Sequence, residues 1–599
     1  MTTATRPAVS LTLRAIAVVA AAAASAGLFL LELVAGKVLL PLFGGAPAVW
    51  ISCLAFFQAA LVAASLHADR LVRSRGPRYQ LAVQAIVFVA AAAVAPAGLA
   101  IAARWARPES AVPLPLLVIT ALAAGVGPAF FAVATLAPLF GHWRSLWPDT
   151  GTDKAEGQAA YGLYAAGNAG SFAVLAAYPT LLEPWAGIGR QVDLAARLFV
   201  AIAVLTLVFG GVTVRLLTRS SGPAKSGPMG RVTWRQWLIW AALAAVPASW
   251  LAAVTTHATV EVAPIPLLWV VPLAVYLASF IVVFSPAGRR LARFEGPAEG
   301  VIAKSTSTDL ASVADHEAED VILSEGPALL AAVGLAAWLV AADCDEPAEL
   351  VLTAHLAAFG VACTCVHGML VDRRPAAAGL SSFYLALAVG GACGGLFNAV
   401  VAPLLFDAHH EFALAIAAAA GLAPAVLRCR GVTRLAACCL VAATLAAALL
   451  AAPWLTLPRP AWLALLTAAV AGPAVTLAGG ERTLTLSGLL LGTFLVGETA
   501  RQVEHRERTF FGVLRICASP NGPSRVLMHG GIRHGVQLLA EDPDRRRIPL
   551  AYYHEAGPLG SVFAGLDPAR RPRRAGIAGL GVGTVASYAP PGDEFMFYE

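Results

Sequence analysis

Apolar residues in this chain come in long runs rather than at amphipathic spacing. From Leu11 to about Leu495, stretches of roughly 18 or more predominantly apolar residues recur, the length a helix needs to cross a bilayer. Spans are predicted at 14–36, 48–68, 79–103, 113–140, 158–181 and 195–216. A second set falls at 236–256, 265–284, 326–342, 350–371, 379–405 and 411–427. Three more apolar stretches follow at 435–453, 461–478 and 484–497, the last short for a crossing, so the total is about 14 or 15. After Arg501 the pattern changes to short β-type runs, with Phe510–Ile516 and Ser524–His529 read as strands joined through Asn521-Gly522-Pro523. Ala575–Gly579 reads as a buried-type strand running into a glycine turn.

Composition agrees with the pattern. The chain is 58% hydrophobic and 13% charged, with a mean hydropathy of +0.72, whereas a soluble protein carries about 25% charged residues. The net charge of +6 forms no basic stripe with interleaved aromatics, so no nucleic-acid partner is expected. Arg6, Arg14 and the Ala-rich run after them are longer than a signal peptide, and a retained first helix is predicted.

Charge decides orientation. Arginines and lysines gather in alternate loops: Arg70 to Arg78, Arg144 and Lys154, Arg215 to Arg235, Arg289 to Lys304, Arg373 and Arg374, and Arg428 to Arg434. Cytoplasmic loops carry such an excess, which predicts a cytoplasmic N-terminus in the cell membrane. The polar stretch 285–324 reads as a cytoplasmic linker, and His409-His410-Glu411 as a solvated outer loop. A cytoplasmic C-terminal domain is expected because nucleoside donors are cytosolic, and that requires an even number of crossings.

An internal repeat is visible. Gly167, Gly170, Pro179 and Leu181 recur 224 residues later as Gly391, Gly394, Pro403 and Leu405. Pro47 and Trp50 recur 219 residues later as Pro266 and Trp269. Both offsets carry a helix onto one six helices on, which predicts a parallel repeat of two six-helix halves.

The expected organisation is therefore a multi-pass α-helical membrane protein followed by a partial α/β Rossmann-like domain with a small β-hairpin region before it. The halves are 1–216 and 236–427, with a linker at 217–235, added helices at 428–500, a β-rich part at 501–574 and the start of a nucleoside-binding unit at 575–599.

Chemistry is suggested at two places. Gly579-Leu580-Gly581-Val582-Gly583 follows a strand and is expected to open a helix, so its backbone turns tightly and its N–H groups face a ligand. A second strand, Glu594–Tyr598, leads to Glu599, an acid placed to accept from ribose hydroxyls. In the membrane half, polar groups inside apolar runs are costly and so become candidates: Glu32 first, then Asn168, His355, His367 and Asn398. Each also has a plain structural reading as a buried hydrogen bond. Cys363, Cys365 and His367 do not share one helix face, so small packing residues are expected there rather than a metal site. An odd count of nine cysteines with no CxxC pair argues against a disulfide framework.

Arg508 to Glu599 resembles the spermidine synthase (polyamine aminopropyltransferase) family, most closely its membrane-fused members. Arg508-Thr509-Phe510-Phe511-Gly512-Val513-Leu514-Arg515 is similar to the start of their β-hairpin domain. The segment His529-Gly530 to Gln537 resembles the one supplying a ligand-contacting Gln. Tyr552-Tyr553-His554-Glu555 resembles their Tyr-His-Glu, and Gly579, Gly581, Gly583 and Glu599 their cofactor loop and ribose-binding acid. Upstream, Leu31 to Gly36, Pro47 to Trp50, Tyr161 to Ser171, Pro266 to Trp269 and Phe383-Tyr384 are similar to the membrane half of those fused proteins.

The resemblance implies a donor site formed by Gln537, Tyr553, His554, Gly579, Gly581, Gly583 and Glu599. It implies decarboxylated S-adenosylmethionine as co-substrate, no tightly bound cofactor, and a polyamine as acceptor. It also exposes three departures. Val582 stands where the family's loop carries an Asp, His529 replaces another Asp, and the catalytic Asp expected past Glu599 does not occur. A truncated synthase domain, or one completed by a partner chain, is the expectation that follows. A transporter-like protein for polyamines or related cations is the alternative.

Overall fold

The computed structural model describes residues 11–105, 112–147, 153–219, 232–262, 268–285, parts of 329–340, 347–375, 379–426 and 503–598, apart from a few loop positions. The linker 285–324 past its first residue, the stretches 435–453, 461–478 and 484–497, and Glu599 lie outside the described residues.

The apolar runs form helices: α1 (Leu11–Phe43), α2 (Pro47–Ser74), α3 (Pro77–Trp105), α4 (Leu114–Gly125), α5 (Gly127–Ala134), α6 (Leu136–Ser145), α7 (Asp153–Ala177) and α8 (Ile188–Arg219). They continue as α9 (Trp234–His257), α10 (Val270–Phe284), α11 (Ala348–Asp372), α12 (Leu380–Leu396) and α13 (His410–Val426). Seven of the described helices are long and apolar enough to cross a membrane, eight if the bent α4–α6 segment is one span. Large apolar side chains face outward from them, Ile86 at 67% exposure and Val89 at 69%, which suits a lipid surround and not water.

The single span expected over 113–140 is broken. Gly125-Val126-Gly127-Pro128 interrupts it, and the two parts bend by 69°. Proline supplies no N–H to the helix ladder, and the two glycines weaken it on either side. Gln84 from α3 stabilises the bent part, donating to the Ala132 carbonyl (2.8 Å) and accepting from the Thr135 hydroxyl (3.0 Å).

Small residues set the closest helix pairs. α1 lies against α7 where a side chain at Gly170 would strike the backbone of Ala22. α9 lies against α12 where one at Gly394 would strike Ala245 and Ser249. Those partners are 223 residues apart and the glycines 224, so one packing arrangement occurs twice. Each second member then widens into a π-helical turn, Tyr178–Leu182 and Phe397–Val401.

The bundle has two distinct ends. At the arginine end, Arg73 pairs with Asp69 (2.9 Å) and donates to Ser382 (2.8 Å), Ser381 donates to Asp69 (2.6 Å), and Trp240 donates to the Arg373 carbonyl (2.9 Å). At the other, Lys37 pairs with Glu183, and His257 stacks on Phe412 and meets His355 edge-on, both at 4.8 Å.

Residues 503–538 fold as an antiparallel meander, β1 (Val503–Thr509), β2 (Gly512–Ala518), β3 (Ser524–His529) and β4 (Ile532–Leu538). β5 (Arg574–Ala578) and β6 (Glu594–Tyr598) form a separate parallel pair. The helix expected after the glycine turn is only a 3-10 turn, Thr584–Tyr588. Its Tyr588 stacks on Phe563 (4.6 Å), which in turn faces Phe595 (5.8 Å), a three-ring core too small to leave either strand fully covered.

Candidate functional site

The first candidate lies where β5 ends. Gly579, Gly581 and Gly583 all take positive φ, at 86°, 56° and 71°. A residue with a Cβ is strained there by about 1–2 kcal/mol, so the turn depends on glycine. The Gly579 N–H donates to the Tyr598 carbonyl (2.7 Å), and Gly583 to Leu580 (2.9 Å), which fixes the loop across the two strands. A Cβ on Gly581 would sit 3.0 Å from the Tyr553 hydroxyl, so that hydroxyl lies directly over the loop. Tyr588 donates to the Tyr553 carbonyl (2.5 Å) and anchors it.

The sheet meets the same loop. Val582 packs into the space left by the missing side chain of Gly535 on β4. Strand alternation puts Gln537 on that face, two positions along, and it is exposed. Tyr553 and Val582 thus hold the loop against β4, the strand that carries Gln537. His554 is turned away: its Nδ1 accepts the Ala556 N–H (3.0 Å) within its own exposed turn.

Sequence reading gave Tyr552 no separate role, and its hydroxyl donates to the His534 carbonyl (2.9 Å), tying the Tyr-Tyr turn to β4. Burial first, and the adjacent Tyr553 second, push Tyr552 to about 12, so it stays a donor. Burial, and then the neighbouring charge of His529, hold His534 below the ordinary histidine value. Neither the Gly535–Val582 contact nor the Tyr588 anchor has a signal in the sequence, because both depend on how two small sheets meet.

The second candidate is inside the membrane half. Glu32 lines a cavity of about 30 Å³ with Trp50, Cys53, Thr255, Trp269 and Leu273 among its other walls. That volume holds one or two waters. Trp50 and Trp269 stack at 4.5 Å, so the two tryptophans that the sequence repeat relates lie on each other. The repeat relates other walls as well: Leu54 and Leu273 share the 219 offset, and Glu32 and Thr255 the 223 offset of the helix pairs. The cavity therefore lies between equivalent pieces of the two halves. Among the described residues no hydrogen bond or ion pair reaches the Glu32 carboxylate.

The remaining membrane candidates do not join it. Asn398 donates to Ser249 across the α9–α12 contact and to the Gly394 carbonyl one turn earlier in its own helix, both 2.8 Å. His367 Nδ1 bonds Ser279 (2.8 Å) with its ring stacked on Phe280 (3.7 Å). Asn168 lies one turn after Tyr164, and its amide nitrogen has no hydrogen-bond partner among the described residues. Among the described residues neither ring nitrogen of His355 is bonded, and the ring packs against His257 and Phe412. No cluster able to hold a metal occurs among the described residues, Cys363 and Cys365 included.

The expectation of a solvated His409-His410-Glu411 is overturned. Glu411 is 2% exposed, accepting two bonds from Arg508 (2.7 and 3.0 Å) and lying 3.3 Å from His409. The strand β1 reaches down onto this loop, and a carboxylate that sequence leaves exposed is buried by a partner 97 residues away. No protein-family model matches the chain, and no curated protein matches it.

Proposed function

We propose that this is a multi-pass protein of the cell membrane, spermidine synthase-like in its C-terminal part, that binds an S-adenosyl-type amine donor on the loop Gly579–Gly583. The observation that carries the reading is the loop itself: three left-handed glycines between parallel strands, with the Tyr553 hydroxyl over Gly581. Backbone N–H groups left free by such a turn suit a nucleoside or carboxylate group, and tyrosine and Gln537 supply directional hydrogen bonds. Decarboxylated S-adenosylmethionine is the donor the resemblance implies. Aminopropyl transfer is displacement at carbon by a neutral amine, and it needs a group to take the amine's proton. No side chain among residues 503–598 is assigned that proton, so donor binding is the step assigned to them. The two membrane halves read as a parallel six-plus-six repeat, supported by the doubled glycine packing and the stacked Trp50–Trp269 pair.

Titration calorimetry of the purified full chain with decarboxylated S-adenosylmethionine tests the reading. Saturable binding is expected, lost on Gly581→Val, which introduces strain and a clash with Tyr553. Tyr553→Phe is expected to weaken binding about 5-fold, the worth of one hydrogen bond near 1 kcal/mol. Absence of heat with the unaltered chain overturns it.

The Glu32 cavity favours a second reading, recognition of a small amine or cation in the membrane half. A carboxylate without a partner in an apolar layer is costly unless a cation or proton joins it. Polyamine uptake into vesicles carrying the protein is expected to fall at least 10-fold on Glu32→Gln. Equal uptake by both chains removes Glu32 from any such role.

A further inference from the structure

The sheet β1–β4 is clamped to one end of the bundle. Arg508 on β1 forms a two-pronged pair with Glu411 at the start of α13, and its Nη1 also donates to the Ala408 carbonyl (2.6 Å). Both side chains are buried, at 8% and 3% exposure. Arg506 approaches Asp407 at 3.9 Å. The β3–β4 turn touches a second helix end: the Gly531 N–H donates to the Val260 carbonyl (3.3 Å), and Gly530 leaves no room there for a side chain. Val260 follows α9, and residues 407–411 lead into and begin α13, so two separate helix ends hold the sheet.

Those ends are opposite the arginine end. α9 begins beside Arg373 and finishes at the sheet. α12 begins beside Arg73 and leads to the loop that Arg508 grips. α9 alone is 24 residues, about 36 Å at 1.5 Å per residue, enough to separate the two faces of a bilayer. Positive charge in short loops marks the cytoplasmic face. We infer that residues 503–598 form an extracytoplasmic domain, held on the outer end of the bundle by Arg508 and Glu411, and that the glycine-loop site takes its ligand from the outer compartment.

This replaces a cytoplasmic C-terminal domain, an expectation that rested only on where nucleoside donors are made. The Val582–Gly535 contact carries the glycine loop to the same side as the sheet. Parity agrees. α13 starts at the sheet end and runs away from it, and β1 starts at the sheet end, so an odd number of crossings is required after α13. The sequence carries three apolar stretches in that interval, at 435–453, 461–478 and 484–497. Only the identity of the ligand rests on the donor-binding reading; the location stands on the contacts and the charge pattern.

Thiol labelling of the full chain in right-side-out vesicles tests it. Asp544→Cys places a probe on an exposed turn of the domain, and Arg75→Cys one on an exposed arginine-end loop. Both are made in a Cys517→Ser background, and labelling is read as the gain over that background. A membrane-impermeant maleimide is expected to label Asp544→Cys at once and Arg75→Cys only after permeabilisation. Both sites labelling together, or the domain labelling only after permeabilisation, overturns the inference. Donor binding is measured on solubilised protein with both faces open, so its failure and this one are separately visible.

Discussion

Arg508→Met is expected to release the sheet from the bundle while leaving the helices folded. The substitution keeps the apolar stem and strands the Glu411 carboxylate at 3% side-chain exposure without its two guanidinium bonds. Removing one partner of a buried ion pair costs about 3–5 kcal/mol, roughly a 150- to 5,000-fold shift in the docking equilibrium. Hydrogen exchange in β1 and protease cleavage before Val503 read the release directly. Glu411→Gln retains one acceptor and is expected to produce a smaller increase in both. The exchanged pair, Arg508→Glu with Glu411→Arg, is expected to recover part of the protection, because the two groups meet face to face. Unchanged exchange in Arg508→Met means the pair does not hold the domain.

Side chains at the two helix crossings are expected to produce the other large effect. Gly170→Leu and Gly394→Leu each push a side chain into backbone, of Ala22 in one case and of Ala245 and Ser249 in the other. Backbone cannot rotate aside, so α1 must leave α7, or α9 leave α12. Overpacking costs about 1–3 kcal/mol per site, and the loss of close approach along a whole helix pair adds to it. Each variant is expected to lower the thermal midpoint of the detergent-solubilised protein by several degrees and to cut the yield of monodisperse material. Gly391→Leu is the discriminating control. It belongs to the same repeat, yet nothing lies within 4 Å of its missing side chain, and it is expected to behave like the unaltered chain. Equal loss at Gly391 and Gly394 means that helix contact is not what the glycines serve.

That comparison also measures how much was legible beforehand. The offset of 224 singles out Gly167, Gly170, Gly391 and Gly394 alike, and only the packing separates them. The glycine loop was readable because positive φ is a local demand that glycine answers wherever the chain is. Its setting was not, since the Tyr553 hydroxyl over Gly581 and Val582 against Gly535 come from elements 20 to 50 residues apart. The expected helix after the loop shrank to the 3-10 turn Thr584–Tyr588, where Ala589-Pro590-Pro591-Gly592 follows too soon for a longer one. The bend within 113–140 was hidden for a related reason: hydropathy counts apolar residues and is blind to a Gly-Pro break within them.

By itself the sequence determined that this chain is built of apolar helices with a small β region after them, which ends carry the arginines, and where a glycine turn must fall. These follow from composition and local backbone preference, which act without reference to distant residues. The tertiary structure alone decided that Trp50 stacks on Trp269 beside Glu32, that Glu411 is buried, and that the β domain lies at the end away from the arginines. Each of those is a contact between residues far apart in the chain. Local preference carries no information about which buried charge a distant arginine will reach.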